Sequence, residues 1–181
     1  NWLKWTLAGV ALMLPLGAAA QDAGKPFSNE QLDQMMAQVA LYPDALLSQL
    51  LMAATYPDEF QEAARWSKAH PDAKGDDAVK QVESNDWDPS VASMVAFPEV
   101  LITLGDKPDY VRNMGDAFLA QPEDVMNSVQ RLRAGAQKAG NLKSNEQIKV
   151  STEPLQAPAP AVTVVQAPPV TQTIVIEPAQ P

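Results

Sequence analysis

The stretch that decides the fold runs Val39-Ala40-Leu41-Tyr42-Pro43-Asp44-Ala45-Leu46-Leu47-Ser48-Gln49-Leu50-Leu51-Met52-Ala53-Ala54-Thr55-Tyr56-Pro57-Asp58. Two aromatic-Pro-Asp triplets bracket an apolar run in which Leu46, Leu47, Leu50, Leu51 and Ala54 recur at helical spacing. Proline suits the first turn of a helix, where its missing N–H has no partner to lose, and the acid beside it sits at the positive end of the helix dipole. The residue before a proline is pushed away from helical geometry. Each triplet therefore ends one helix and starts the next.

The same punctuation continues outward. His70-Pro71-Asp72 lies fourteen residues beyond Tyr56-Pro57-Asp58, and Asp88-Pro89-Ser90, Phe97-Pro98-Glu99, Lys107-Pro108-Asp109 and Gln121-Pro122-Glu123 follow at irregular intervals. Between them the spacing stays helical: Phe60, Ala63, Ala64 and Trp66; Val91, Met94 and Val95; Val100, Leu101 and Leu104; Tyr110, Val111, Met114 and Phe118; Val125, Val129, Leu132 and Ala136. Upstream, Ser28-Asn29-Glu30-Gln31 fits a capping box, with Leu32, Met35, Met36 and Val39 on one face behind it, which predicts a helix over 29–41. Gly140 predicts the last C-cap, and Arg131, Arg133 and Lys138 suit the negative end of that helix. The expected fold class is all-α: a compact irregular bundle of short proline-started helices over 28–142, followed by an extended proline-rich tail. A regular repeat array is disfavoured, since fourteen residues is far below the usual repeat length.

From 143 to 181 the character changes. Seven prolines fall between Pro154 and Pro181, which excludes helix for most of that stretch. Ile148 to Val150, Val162 to Val165 and Thr171 to Ile176 are β-prone runs too isolated to bury a core alone, so the tail reads either as a spacer or as a strand that needs something to pair with.

At the other end, Lys4, the apolar stretch Trp5 to Leu16 and the small residues Ala18-Ala19-Ala20 read as a secretory signal over 1–20, with cleavage expected before Gln21 and a flexible lead-in over 21–27. An uncleaved N-terminal anchor is the alternative; no integral membrane span is expected in the mature chain. The chain starts at Asn1 rather than Met, which points to residues preceding it. The expected location is the periplasm or surface of a bacterium.

With no cysteine, the chain has neither disulfides nor thiolate chemistry, and no lipid-modified cysteine at the cleavage site. Its formal net charge of −9 opposes nucleic-acid phosphate and anionic lipid. His70 is the single histidine, too little for a triad or an imidazole metal site, and its place before Pro71 suits a helix end. Asp44, Asp58, Asp72, Glu99, Asp109 and Glu123 have a structural explanation at helix starts. Asp76-Asp77 and Asp86 with Asp88 lack the spacing of a calcium loop. Met35, Met36, Met94, Met114 and Met126 lie on apolar stripes and read as core rather than as copper ligands. No catalytic residue, metal site or cofactor is assigned.

What remains is an interaction reading. Tyr42, Tyr56, Trp66, Trp87 and Phe97, with Ile174 and Ile176 in the tail, are the candidate partner-binding residues. The expected function is that of a non-enzymatic envelope interaction or scaffold protein whose partner is another envelope protein. The alternative is a cell-wall glycan binding module or carboxylate-dependent hydrolase built on Trp87 with Asp86 or Asp88.

Val39-Ala40-Leu41-Tyr42-Pro43-Asp44, Ala63-Ala64-Arg65-Trp66, Gly115-Asp116-Ala117-Phe118-Leu119-Ala120-Gln121 and Val129-Gln130-Arg131-Leu132-Arg133 together resemble the uncharacterised bacterial family called domain of unknown function 3300. The resemblance runs from about Gln31 to Glu177, including Ile174-Val175-Ile176-Glu177-Pro178, and it names relatives without naming a reaction. Members of that family continue into tyrosine-, proline- and glycine-rich sequence, so the resemblance implies a truncated or short member.

Overall fold

A computed structural model describes residues 25–154 and 172–179. Among them are eight helices, α1 (Asn29–Met36), α2 (Asp44–Ala54), α3 (Pro57–Ala69), α4 (Gly75–Gln81), α5 (Pro89–Met94), α6 (Pro98–Gly105), α7 (Pro108–Ala120) and α8 (Pro122–Lys138), and two strands, β1 (Ile148–Pro154) and β2 (Gln172–Pro178). The expected signal, most of the lead-in, and the run Val162 to Val165 lie outside the described residues.

The proline rule holds at five starts: Pro57, Pro89, Pro98, Pro108 and Pro122 each occupy the first turn of a helix. Tyr56, Phe97, Lys107 and Gln121, the residues before four of them, share one backbone geometry, with φ between −117° and −142° and ψ between 56° and 66°. This is the corner at which one helix turns into the next without a loop. Pro43 instead caps α2 from just outside.

His70-Pro71-Asp72 departs from the rule. His70 has the same corner geometry (φ −125°, ψ 63°). After it, however, the chain closes a tight turn through Ala73 N–H to His70 O, and α4 begins only at Gly75, where φ is +55°. Buried Ala73 anchors that turn. The first helix is likewise shorter than expected. Its capping box is present, Gln31 N–H donating to Ser28 Oγ and Ser28 N–H to Gln31 Oε1, but the helix ends at Met36, and residues 37–42 wind on in short turns. At the far end the C-cap is a Schellman motif: Gly140 (φ 78°) donates to Gln137 O, Asn141 donates to Ala136 O, and Leu142 packs back beside Ala136.

The helices pack chiefly as α3 on α6, α1 on α8, and α2 on both α5 and α7. Their buried faces form one core that includes Leu32, Met36, Leu47, Leu50, Leu51, Phe60, Met94, Leu101, Met114 and Val129. Met35 is only partly buried, and Met126, expected on a core stripe, is 39% exposed. Two glycines set the closest approaches. A Cβ on Gly115 would lie 2.1 Å from Ala54 O, and one on Gly105 would lie 2.4 Å from Ala64 Cβ, so α7 meets the end of α2, and α6 meets α3, with no room for a methyl group.

The tail is part of the fold. β1 and β2 pair antiparallel, Val150 opposite Ile176 and Thr152 opposite Ile174, and the ribbon closes over a second small core of Leu142, Ile174 and Ile176 against α8. No helix among the described residues is long and apolar enough to cross a membrane.

Gly115→Ala should destabilise the protein by about 1–3 kcal/mol or more, because backbone must shift to admit the methyl group. Gly135→Ala, in open space on α8, should stabilise by about 0.4–1 kcal/mol; paired urea unfolding curves separate the two. At Tyr110 the hydroxyl donates to Met35 O at 2.6 Å, and burial pushes its pKa up to about 12. Because the folded value lies above the unfolded value of about 10, the stability this contributes is complete below pH 10 and is lost as pH rises through 12. Tyr110→Phe should flatten that alkaline loss in a pH series of thermal melts.

Candidate functional site

Two regions gather the residues that chemistry or recognition would use. The first is a stripe along α3. Glu59, Glu62, Trp66 and His70 follow at intervals of three and four, hence on one side of the helix. The connection into α5 lies across it: the Trp87 indole N–H donates to Glu62 Oε2 at 3.1 Å, and the Asp88 N–H donates to Glu59 Oε2 at 2.6 Å. Asp88 in turn caps α5, accepting from the Ser90 N–H (2.9 Å) and hydroxyl (2.5 Å), and it accepts the Tyr56 hydroxyl as well. The Ser90 bonds hold the Asp88 carboxyl below the ordinary aspartate range, and the bond to Asp88 raises the Tyr56 phenol. At the far end of the stripe the Trp66 and His70 rings stack at 4.3 Å, and His70 Nδ1 lies 2.8 Å from Trp66 O.

The second region is the seam between α8 and β2, and it centres on Arg133. Its side chain is 1% exposed. Nε donates to Ala40 O at 2.7 Å, Nη2 to Tyr42 O at 2.9 Å, and Nη1 to Ile174 O at 2.7 Å, while Nη1 also meets Asp44 Oδ1 at 2.5 Å. One turn earlier, Gln130 Oε1 accepts the Ile174 N–H at 2.7 Å, and Gln130 Nε2 donates to Ile174 O at 3.3 Å. Arg133 was expected to face the helix dipole with Arg131 and Lys138. It is instead a buried clamp, because three carbonyls from outside α8 converge on it. Arg131 pairs with Asp33, whose carboxylate also accepts from Ser128 Oγ, and only Lys138 stands in the last turn.

The candidate partner-binding residues divide accordingly. Tyr56 and Trp87 come together at the α3–α5 junction, and Trp66 lies further along the α3 stripe. Phe97 stands apart at the start of α6, 44% exposed, against 42% for Tyr56. Tyr42 is half-buried, and its carbonyl is held by Arg133. Ile174 and Ile176 are buried at 5% and 0% exposure, and what they touch is this chain's own small core under the ribbon. Glu59, Glu62, Gln130 and Arg133 were not foreseen. Glu59 and Glu62 carry a trace of their role in the shared spacing with Trp66, whereas Gln130 and Arg133 read as ordinary polar positions of an amphipathic helix. Among the described residues no group of three or more His, Cys, Asp or Glu is placed to hold a metal ion.

The class these features define is a mostly helical domain of short, proline-started helices that binds its own C-terminal β-ribbon. The chain belongs to the family described as protein of unknown function DUF3300, whose model matches residues 28–181 and so includes the ribbon. It is similar to the uncharacterized protein YacH of Escherichia coli strain K12, with 50% identity over 170 residues. That match covers 86% of this chain and 28% of YacH, so the chain spans less than a third of this relative's length. No solved structure matches.

Arg133→Met should cost about 3–5 kcal/mol, since it takes the charged donor from the Ala40 and Tyr42 carbonyls, leaves Ile174 O with only the longer bond from Gln130, and leaves Asp44 without its partner. Arg133→Lys should recover little of this, because an ammonium cannot span the fork of acceptors. Chemical unfolding gives the loss, and hydrogen exchange should show the amide of Ile174 among the first released.

Proposed function

We propose that this chain is an exported, non-enzymatic interaction or scaffold module of the bacterial cell envelope. The observation that carries this reading is the state of the α3–α5 junction. Its carboxylates are committed to main-chain, indole and hydroxyl donors that hold the junction together. Beside them the Tyr56 ring stays half-exposed, as does Phe97 at the next corner. Aromatic groups held rigidly at the surface provide contact area at little entropic cost, which suits a protein partner. Export rests on the sequence of residues 1–20.

The alternative, a glycan-directed module at Trp87, is less well supported as an enzyme than as a binder. A glycosidase needs two carboxyls free to flank the scissile bond, whereas the Asp88 carboxyl is turned onto the Ser90 N–H and hydroxyl as the cap of α5.

A photo-crosslinking residue placed at Tyr56 or at Phe97 in the exported chain should capture a discrete envelope protein, and the same residue at Lys138 should not. N-terminal sequencing of the protein released by osmotic shock should begin at Gln21. The interaction reading fails if purified chain cleaves peptidoglycan and Asp88→Asn abolishes the cleavage; the export reading fails if the chain stays in the cytoplasmic fraction.

A further inference from the structure

β2 is recognised largely through its main chain. A carboxamide offers the same donor and acceptor pair as a peptide group, so Gln130, bound to both the N–H and the carbonyl of Ile174, acts on β2 as a neighbouring strand would. Arg133 adds a charged donor to the same carbonyl. The remaining recognition is apolar: Ile174 and Ile176, two residues apart and therefore on one face of the strand, are buried beside Leu142 and Ala136. This is the pattern of an extended peptide held in a groove, with backbone bonds for affinity and alternate side chains for fit.

Nothing in that recognition requires β2 to come from the same molecule. The strands are joined through residues 155–171, where an antiparallel pair needs a turn of only two, so the connection leaves length for β2 to reach a neighbouring molecule. The ribbon does not invite an extra strand at its free side. Along the outer edge of β1 the Val150 N–H and carbonyl are both taken by Ser144 Oγ, and those of Ile148 are taken by the Asn145 side chain and N–H. Association through this region therefore favours replacement of β2 over addition beside it.

We propose that this face of α8 is a strand-binding site, and that β2 of a second copy of the chain fills it in exchange for the chain's own. The segment Gln172–Pro178 is the one sequence the site is seen to accept. In dilute solution the tethered strand wins, since its covalent connection holds it at an effective concentration in about the millimolar range. Exchange belongs to crowded chains. It is independent of the interaction surface proposed above, because a chain that never exchanges its strand still presents Tyr56 and Phe97.

The absence of cysteine makes the test clean. Lys149 and Glu177 face each other across the ribbon, and both are exposed. Full chains carrying Lys149→Cys are mixed with full chains carrying Glu177→Cys, incubated at rising concentration and oxidised. Exchange sets the two thiols opposite one another, so the mixed disulfide dimer should exceed that from Lys149→Cys with Lys138→Cys by about tenfold, as a shared site concentrates the reacting groups. The double variant Lys149→Cys, Glu177→Cys should close within one chain. If it closes while the mixed single variants give no dimer above the Lys138→Cys control, the proposal is overturned. If it fails to close, the strand pairing on which the proposal stands is itself wrong.

Discussion

A guanidinium shut away from water, with acceptors on every side, ties the first helices, the last helix and the tail together. Arg133 takes one carbonyl from the turns after α1 (Ala40), one from the residue before Pro43 (Tyr42), and one from β2 (Ile174). Burying that charge costs several kcal/mol, and the Asp44 carboxylate, 41% exposed, is too wet to offset it alone. The carbonyls decide the balance, because a charged donor to a buried acceptor contributes about 1.5–3 kcal/mol each, and without Arg133 the Ile174 carbonyl would keep only the 3.3 Å bond from Gln130. The arrangement also accounts for the early end of α1. Had the helix run on to Leu41, its carbonyls would have pointed along the helix axis instead of turning outward toward α8.

Much of this architecture is legible in the sequence because proline acts locally. Pro57, Pro89, Pro98, Pro108 and Pro122 each open a helix for reasons contained within two or three residues: a fixed φ, a missing N–H, and a constrained neighbour. His70-Pro71 shows the limit of that reasoning. Its corner matches the others, yet the helix is deferred to Gly75, because buried Ala73 is satisfied by a turn that no local rule supplies. Gly105 and Gly115 were equally opaque. Inside a helix a glycine has no local explanation, and here the reason lies on another element, at Ala64 and at Ala54.

The candidate sites were legible in composition and not in arrangement. Trp87 with Asp86 or Asp88 was singled out as an aromatic beside an acid, the minimum for a sugar site. The structure sets Glu59 and Glu62 against Trp87 and Asp88 from α3, and these convert the pair into a joint between helices. Sequence periodicity marks Glu59, Glu62 and Trp66 as sharing a side, but what crosses that side is a tertiary fact. The tail is the clearest case. Its β-prone runs were recognisable as strands in want of a partner, whereas the partner, β1 on one side and a carboxamide and a guanidinium of α8 on the other, could be found only in three dimensions.

A two-stranded ribbon is marginal by itself, and here each side of it is dealt with differently. At Ile174 the inner side of β2 is met by side chains of α8, Gln130 and Arg133, rather than by a third strand. The outer side of β1 is closed at Ile148 and Val150 by its own lead-in, Ser144 and Asn145, and Pro154 at the end of the strand has no N–H to offer. A tail evolved to pair freely with other proteins would leave that edge open. One whose edge is covered at these positions is better suited to hold its place on the helical domain than to take a further strand there.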